Sequence, residues 1–123
     1  MTIPEETVLD FAAALFPSVW ALELLLVLKR DAARAWWANE LIQELRSSQG
    51  VVTDALASLL AAGLIVEQEP GQYRYHAASA DLDEMVSALQ KIYAMKPAAV
   101  IRAIVSTPNR KLRLLSDAFK FKE

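Results

Sequence analysis

The change of hydrophobic spacing at Gly63 is the feature that most constrains how this chain folds. Before it, apolar residues recur at the three- and four-residue spacing of a helix, at Val52, Leu56, Leu59 and Leu60. After it, "LIVEQEPGQYRYH" (64–76) contains two extended runs around Pro70-Gly71, and its second run alternates tyrosines with polar residues. Glycine adopts the left-handed backbone with which many helices end. The sequence therefore predicts a helix that ends at Gly63 and passes directly into a β-hairpin with one packed face.

Three further helices are predicted before this one. The first runs over about residues 4–15, with Thr2 as its cap. The second is apolar almost all round over residues 19–28, so we expect it to be the central buried helix. The third lies within "AWWANELIQELRSS" (35–48), which has apolar residues on one helical face.

Helical patterns return after the hairpin. Residues 82–93 form an apolar stripe with a period near 3.6, and Pro97 ends it and opens another helix. Thr107 with Pro108 caps a last segment, which contains the apolar residues Leu112, Leu115 and Phe119. The predicted fold class is mainly α with a small β-hairpin, in a single domain of 123 residues.

Composition argues against several classes of protein. The chain has no cysteine and one histidine, His76. It therefore lacks almost all of the residues that form disulfides, the usual zinc sites and Ser-His catalytic sites. We therefore expect no metal site, no cofactor and no enzymatic activity. The longest strongly apolar run, 19–28, is far shorter than the roughly 20 residues of a membrane-spanning helix. The acidic start of the chain, residues 1–10, does not have the pattern of a secretory signal, so we expect a cytoplasmic protein without a membrane span.

The net charge of −2 conceals a division along the chain. Residues 1–90 hold 13 acidic against 5 basic residues, which gives −8, whereas residues 91–123 hold 8 basic against 2 acidic residues, which gives +6. One explanation is an anionic partner for the basic end of the chain. The alternative is self-association, in which the basic tail of one chain lies on the acidic body of another.

The order of elements helix, helix, tight turn, helix, "AAGLI" and hairpin resembles bacterial winged helix-turn-helix transcriptional regulators of the MarR and PadR kind. The resemblance covers roughly Pro17 to His76, and its most specific part is "LASLLAAGLIVEQ…GQYRY". It implies a winged-helix core over residues 17–78, with flanking helices in 1–16 and 79–123. In these families such helices commonly form the dimer, so the resemblance implies a homodimer that binds double-stranded DNA. The alternative is that the flanking helices only complete the core of one chain.

The resemblance also implies which residues face DNA. The second helix of the motif would present Gln49 and Thr53 to the bases, through an amide suited to adenine and a hydroxyl and methyl suited to thymine. Arg46, with Ser47 and Ser48 as candidate caps, would meet a phosphate at the start of this helix. The remaining groove-facing positions are Gly50, Asp54, Ala57 and Ser58. Ordinary solvated helix surface is the alternative for all of them.

The sequence departs from the family at several of these positions. Members often carry arginine or another strong donor where this chain has Asp54 and Ser58, and a carboxylate there repels phosphates. The hairpin offers only Arg74, which either contacts DNA or pairs with Glu67 or Glu69 across the strands.

Basic residues are concentrated instead in the tail, where Arg110, Lys111 and Arg113 accompany an apolar face. That segment either binds an anionic partner, such as nucleic acid, or packs as a helix with a solvated cationic face. Trp20, Trp36 and Trp37 are interpreted as core and short-strand residues. The sequence thus predicts a DNA-binding transcriptional regulator that is weakly equipped to contact bases. A winged-helix module that binds proteins is the alternative function.

Overall fold

The computed structural model describes residues 3–106, which form six helices and three short strands. The result is mainly helical with a small antiparallel sheet, which confirms the predicted fold class at that level. The Thr2 cap and the segment beginning at Thr107 lie outside the described residues. The elements in chain order are α1 (Glu5–Leu15), α2 (Val19–Arg30), β1 (Trp36–Trp37), α3 (Ala38–Leu45), α4 (Gln49–Ala61), β2 (Ile65–Glu69), β3 (Gln72–Tyr75), α5 (Ala80–Met95) and α6 (Pro97–Val105).

Helix α2 is the central buried helix, as its almost wholly apolar sequence predicts. Ser18 begins it, and the Oγ atom of this residue accepts a hydrogen bond from the backbone N–H of Ala21 at 3.2 Å. Fully burying one leucine side chain stabilises a fold by roughly 1.5–3 kcal/mol. The helix packs against α3, α4, α6 and β3, and four of its leucines are fully buried: Leu22, Leu24, Leu25 and Leu28.

The helices on either side of residues 17–78 share this same core. Their buried side chains belong to one cluster with those of α2: Val8, Ala12 and Phe16 from the first flank, and Val86, Leu89, Val100 and Ile104 from the second. Helix α1 packs against both α5 and α6, so the two ends of the described chain meet. The buried faces of the flanking helices are therefore used within one chain, and dimer formation stays a prediction.

The passage from α4 into the hairpin has the geometry that the glycine predicts. Gly63 has a φ of +75°, and the N–H of Leu64 returns to the carbonyl of Leu59 at 3.1 Å. The carbonyl of Gly63 accepts from the N–H of Ala78 at 2.8 Å, so the same residue also fixes the chain where it leaves the hairpin. Gly71, with a φ of +82°, forms the hairpin turn.

The sheet has a third strand that completes it on one side. Its order is β1-β3-β2, and β1 pairs antiparallel with β3 so that Trp36 faces Tyr73 and Trp37 faces Gln72. Strand β2 contains a bulge between Glu67 and Glu69, which leaves Gln68 without a partner in the ladder register.

Three polar side chains connect the core, the hairpin and the second flank. The Tyr75 hydroxyl of β3 donates to Asp83 Oδ1 of α5 at 2.5 Å. Lys29 Nζ, at the end of α2, lies 3.4 Å from the same oxygen and 4.8 Å from the centre of the Tyr75 ring. This Lys29–Tyr75–Asp83 cluster therefore fastens α5 to both the central helix and the sheet.

One residue joins the last two helices. Lys96 is both the final cap of α5 and the first cap of α6, with a φ of −134° and a ψ of 63°. Pro97 follows at the first position of α6, where a missing N–H costs no helical hydrogen bond. The Lys96 ammonium pairs with Glu5 of α1 at 2.9 Å, so the joint is tied to the first helix.

None of the helices within residues 3–106 is by itself both long and apolar enough to cross a membrane. Helices α1 and α2 satisfy that criterion only when taken together, and the chain bends by 107° between them.

Candidate nucleic-acid interface

A tight turn at Arg46 separates α3 from α4. Arg46 has a φ of 52° and a ψ of 44°, the left-handed conformation, and is the one described residue other than glycine with a positive φ. The N–H of Arg46 donates to the carbonyl of Gln43 at 3.2 Å, and that of Ser47 donates to Ile42 at 3.1 Å. These bonds end α3 and leave the Arg46 side chain exposed beside the start of α4.

Ser48, rather than Ser47, caps helix α4. Its Oγ accepts from the N–H of Val51 at 3.2 Å, and its extended backbone is that of an ordinary N-cap. Ser47 is half-buried. The hydroxyl of Ser48 is thus engaged in capping, while the first backbone N–H groups of α4 lie next to Arg46 and carry the positive end of the helix dipole.

The outer face of α4 consists of the residues that the resemblance assigns to the DNA groove. The positions of this face are exposed: Gln49, Gly50, Thr53, Asp54 and Ala57. A Cβ atom added at Gly50 would meet nothing within 4 Å. Ser58 differs, because it is half-buried and its hydroxyl donates to the carbonyl of Asp54 at 3.1 Å. The surface is therefore shallow, with Gln49 and Thr53 as its polar groups and the Asp54 carboxylate as its single charge.

Arg74 is held by an amide rather than by a carboxylate. Its Nε donates to Gln68 Oε1 at 3.0 Å, and its Nη1 lies 3.4 Å from the carbonyl of Tyr75. The alternative that Arg74 pairs with Glu67 or Glu69 is wrong, because Arg74 lies opposite Val66 in the ladder and Gln68 follows Val66 on the same face, whereas Glu67 lies opposite Tyr73. Glu67 is occupied elsewhere, since its Oε2 accepts from the N–H of Gly71 at 2.8 Å. The guanidinium of Arg74 thus keeps its charge uncompensated by either glutamate.

The hydroxyl of Tyr73 also lies at Glu67. Burial raises the pKa of Tyr73, and the carboxylate of Glu67 raises it further.

Trp37 is a surface residue that the sequence interpretation placed among core and strand residues. Its side chain is 50% exposed, whereas that of Trp36 is only 7% exposed. Neighbouring residues of a strand point to opposite faces of the sheet, and that alternation could have identified one of the two as exposed. Trp20, at 42% exposed, is likewise not a core residue.

The start of α3 orders this part of the surface. Glu40 accepts from the backbone N–H of Trp37 at 2.8 Å and from the Arg34 guanidinium at 2.9 Å. The hydrogen bond from Trp37 holds the pKa of the Glu40 carboxyl below its ordinary value, and Arg34 lowers it further. Arg34 also stacks on the Trp36 ring, with the guanidinium carbon 3.5 Å from the ring centre. The charge of Arg34 is therefore already paired with Glu40 and with the Trp36 ring of the same chain.

The charge of this region is negative. Between residues 38 and 75 the sequence has five acidic residues and two basic ones, Arg46 and Arg74, which gives −3. Because duplex DNA binds chiefly through neutralised phosphates, these two arginines supply little of the charge that a strong DNA-binding protein requires. The predicted basic residues Arg110, Lys111 and Arg113 lie outside the described residues.

Among the concave regions of residues 3–106, two that lie away from this surface are formed against α5. A groove of about 680 Å³ is lined by Ile3, Asp81, Asp83, Glu84, Ser87, Ala88, Lys91 and Ile92. A smaller cavity of about 210 Å³ lies between α2 and α5, where the Tyr93 hydroxyl donates to Glu23 at 2.8 Å. Neither of these two concave regions is lined by a tryptophan.

Within residues 3–106, no three histidine, cysteine or acidic residues are grouped so that they could hold a metal ion.

Comparison of the chain with protein-family models, with curated proteins and with solved structures found no match to any of them.

Proposed function

We propose that this protein is a winged helix-turn-helix transcriptional regulator that binds double-stranded DNA. In this assignment α3 and α4 are the helix-turn-helix, and β2 and β3 are the wing. The observation that carries the proposal is the outer face of α4. This face is exposed, it begins beside an exposed arginine, and it carries Gln49 and Thr53 as polar groups among the small residues Gly50 and Ala57, with Asp54 as its one charged residue.

Each contact has a distinct chemical role. Gln49 and Thr53 contact base edges in the major groove, because an amide and a hydroxyl with its methyl group fit adenine and thymine. Arg46 and the free N–H groups at the start of α4 bind a phosphate. Arg74 binds a second phosphate from the wing and exchanges its bond with Gln68 for one with the backbone of DNA.

The electrostatic contribution to the free energy of DNA binding is expected to be small. Asp54 lies on the same face as Gln49 and Thr53, so the middle of the helix repels phosphates while its start attracts them. The tail residues Arg110, Lys111 and Arg113 then contribute the remaining positive charge. The proposal therefore predicts modest affinity that falls as salt rises, in a protein that binds DNA in the cytoplasm and catalyses no reaction.

The test is duplex binding by the full chain at several salt concentrations. A random-sequence duplex should be retained at about 50 mM salt, and the slope of log affinity against log salt should become shallower by about one for each phosphate contact removed. Arg46→Ala and Arg74→Ala should each reduce the slope. Arg102→Ala, which removes an exposed arginine on α6, serves as the matched control and should leave it unchanged. Failure to retain any duplex at about 50 mM salt would exclude the function.

A homodimer is part of this proposal, because a regulator that binds two half-sites needs a two-fold axis. The mass in solution of the full chain, compared with that of a chain ending at Thr107, tests it. An unchanged dimer would show that the tail is not its main contact, and a monomer at all concentrations would rule the dimer out.

A protein-binding module is the second candidate, and the exposure of Trp37 favours it. A half-exposed tryptophan beside Gly71 of the hairpin turn, in a region whose net charge is negative, suits a basic peptide better than a phosphate backbone. Trp37→Ala separates the two functions. It should leave the salt slope of duplex binding unchanged if the protein binds DNA through α4, whereas it should abolish binding of a protein partner.

A further inference from the structure

The cavity of about 210 Å³ between α2 and α5 is lined by side chains of both charges. Residues three and four apart share one face of a helix, and the lining positions on each helix have that spacing. The lining therefore combines one carboxylate, one guanidinium and several apolar groups. Helix α2 contributes Glu23, Leu26, Val27 and Arg30, and α5 contributes Gln90, Tyr93 and Ala94.

Two polar contacts fix the helices beside this cavity. Near the start of α2, Glu23 accepts from the hydroxyl of Tyr93 at 2.8 Å. Near its end, Lys29 pairs with Asp83 at 3.4 Å. The start of α2 thus contacts the end of α5 and the reverse, so the two helices run antiparallel. The cavity is therefore formed by two regular helices that are tied together, and not by a loop.

The two charged groups of the cavity are available to a ligand. The Tyr93 hydroxyl bonds to Glu23 Oε1, and Glu23 Oε2 accepts no hydrogen bond within residues 3–106. The Arg30 side chain forms neither an ion pair nor a hydrogen bond in the same part of the chain. Glu23 is also half-buried, so its carboxylate has lost part of its contact with water. A cationic group can therefore pair with Glu23, and an anionic group with Arg30.

A ligand with a single charge would suit only one of these residues. An ammonium group would be attracted by Glu23 and repelled by Arg30, and a carboxylate would be attracted and repelled in the opposite way. A molecule that carries both groups matches both residues. Glu23 and Arg30 are two turns apart on α2, about 10 Å along its axis. The side chains of Leu26 and Val27 lie between them in the lining, which suits an aliphatic body.

The volume of the cavity limits the size of this ligand. Since a water molecule occupies about 30 Å³ in the liquid, the cavity has room for about seven of them. It is also smaller than the roughly 300–1,000 Å³ of sites for drug-sized molecules. A small metabolite fits this space, whereas a nucleotide or a peptide does not.

We propose that the cavity between α2 and α5 binds a small aliphatic amino acid. The ammonium group of the ligand pairs with Glu23 Oε2, while Tyr93 holds the other oxygen of that carboxylate. The carboxylate of the ligand accepts hydrogen bonds from Arg30 and from the amide of Gln90. The aliphatic part of the ligand packs on Leu26. The bound molecule joins the central helix to α5, and this inference does not depend on whether the protein binds DNA.

Calorimetric titration of the full chain with L-leucine and with 6-aminohexanoate tests the ligand class. These two probes hold their charged groups close together and far apart, respectively. At least one of them should bind saturably, with a Kd of about 10 μM to 1 mM. Absence of saturation by either probe up to about 10 mM would overturn the proposal.

Analogues that lack one charged group provide the matched comparison. They are 3-methylbutylamine and 4-methylpentanoate for L-leucine, and pentylamine and hexanoate for 6-aminohexanoate. Each should bind at least about tenfold more weakly than its parent, because one charge-assisted hydrogen bond is lost. Analogues that bind as tightly as the amino acid would contradict the assigned chemistry.

Variants of the two charged residues test which side chains hold the ligand. Glu23→Gln keeps an oxygen acceptor for the Tyr93 hydroxyl and removes the charge, and Arg30→Gln removes an exposed guanidinium. Each should weaken binding at least about tenfold. Arg102→Gln is the control, because Arg102 is an exposed arginine on α6 that does not line this cavity, and it should leave the Kd unchanged. Wild-type affinity in both Glu23→Gln and Arg30→Gln would refute the site.

Tyrosine signals in nuclear magnetic resonance spectra locate the bound molecule. The chain has three tyrosines, and Tyr93 is the one that lines this cavity. In protein made with isotope-labelled tyrosine, the amino acid should shift the ring signal of Tyr93, which Tyr93→Phe identifies by its loss. The signal of Tyr73 on β3 is the internal control and should not move. An unchanged Tyr93 signal at saturating ligand would show that the ligand binds elsewhere and would overturn the proposal.

Discussion

Removing one hydroxyl group from Tyr75 should loosen the attachment of α5 to the rest of the fold. Tyr75→Phe keeps the buried ring and its packing but deletes the hydrogen bond to Asp83 Oδ1. Lys29 remains 3.4 Å from that oxygen. The change therefore isolates one contact of the Lys29–Tyr75–Asp83 cluster without creating a cavity.

The expected loss is about 1–2 kcal/mol of unfolding free energy. A hydrogen bond to a charged group contributes roughly 1.5–3 kcal/mol. The Asp83 side chain is 50% exposed, so water compensates part of that loss and brings the expected value to the lower end of this range and somewhat below it. For a chain of this length, a loss of that size lowers Tm by roughly 4–8 °C.

Urea unfolding of Tyr75→Phe, Asp83→Asn and the double variant measures the coupling between the two groups. We expect a coupling energy of about 1 kcal/mol, because the single variants remove the same bond. Tyr73→Phe is the matched control, since it also deletes a hydroxyl group from β3 but leaves Asp83 untouched. A coupling energy under about 0.3 kcal/mol would refute the reasoning, because it would show that the two groups act independently.

The pH dependence gives the same contact a second readout. The hydrogen bond from Tyr75 holds the pKa of the Asp83 carboxyl below its ordinary value, and Lys29 lowers it further. This contribution is present above the unfolded-state pKa of about 4 and is lost as pH falls through the folded value. Burial, and then Asp83, raises the pKa of Tyr75 well above its usual range, so its contribution starts to be lost above about pH 10. Stability of Tyr75→Phe should therefore change less than that of the wild type at both extremes.

Three further predictions concern single residues. Gly63→Ala should destabilise the protein by about 1–2 kcal/mol, because the φ of Gly63 is +75° and the new Cβ would lie 3.2 Å from that of Ala78. Gly50→Ala should instead stabilise it by about 0.5–1 kcal/mol, because Gly50 lies in a helix and its added Cβ would meet nothing within 4 Å. A higher Tm for Gly63→Ala than for Gly50→Ala would contradict this. Ser48→Ala should cost about 1 kcal/mol in urea unfolding through loss of the cap of α4, and Ser47→Ala clearly less, so equal losses would count against the assigned cap. Burial, and then Glu23, raises the pKa of Tyr93 to about 12. Ultraviolet titration of the tyrosines should therefore show the Tyr93 phenolate forming near that pH, and Tyr93→Phe should remove this titration step. A Tyr93 step near pH 10 would be inconsistent with the hydrogen bond from Tyr93 to Glu23.

Local patterns were enough to predict most of the helices and the hairpin. Gly63 ends α4 because its φ is positive, and the almost wholly apolar stretch that became α2 contributes four fully buried leucines to the core. These features depend on neighbours within a few residues in the chain, which is the range over which hydrophobic spacing and backbone preference act.

The candidate surface was harder to predict because it depends on pairing between distant segments. Trp37 is exposed because β1 adds to β3, a contact between residues that are 35 positions apart. Arg74 bonds to Gln68 because β2 and β3 pair in the register that sets Arg74 opposite Val66, and the residues of "IVEQE" alone do not determine that register. The link between Tyr75 and Asp83 crosses the hairpin exit, where spacing gives no information about side-chain direction.

The joint at Lys96 sets a limit on how the length of this chain can vary. With one residue between α5 and α6, a single inserted amino acid would turn α6 by about 100° about its axis. Val100 and Ile104 would then leave the core, and the smaller Ala99 and Ala103 would take their positions, while the contact of Lys96 with Glu5 would be lost. Residues 31–33, which begin the connection between α2 and β1, are exposed and precede the contacts of Arg34, so their number is not constrained in this way. Insertions and fused segments should therefore be accepted there, whereas the passage from α5 to α6 should admit changes of residue but not of length.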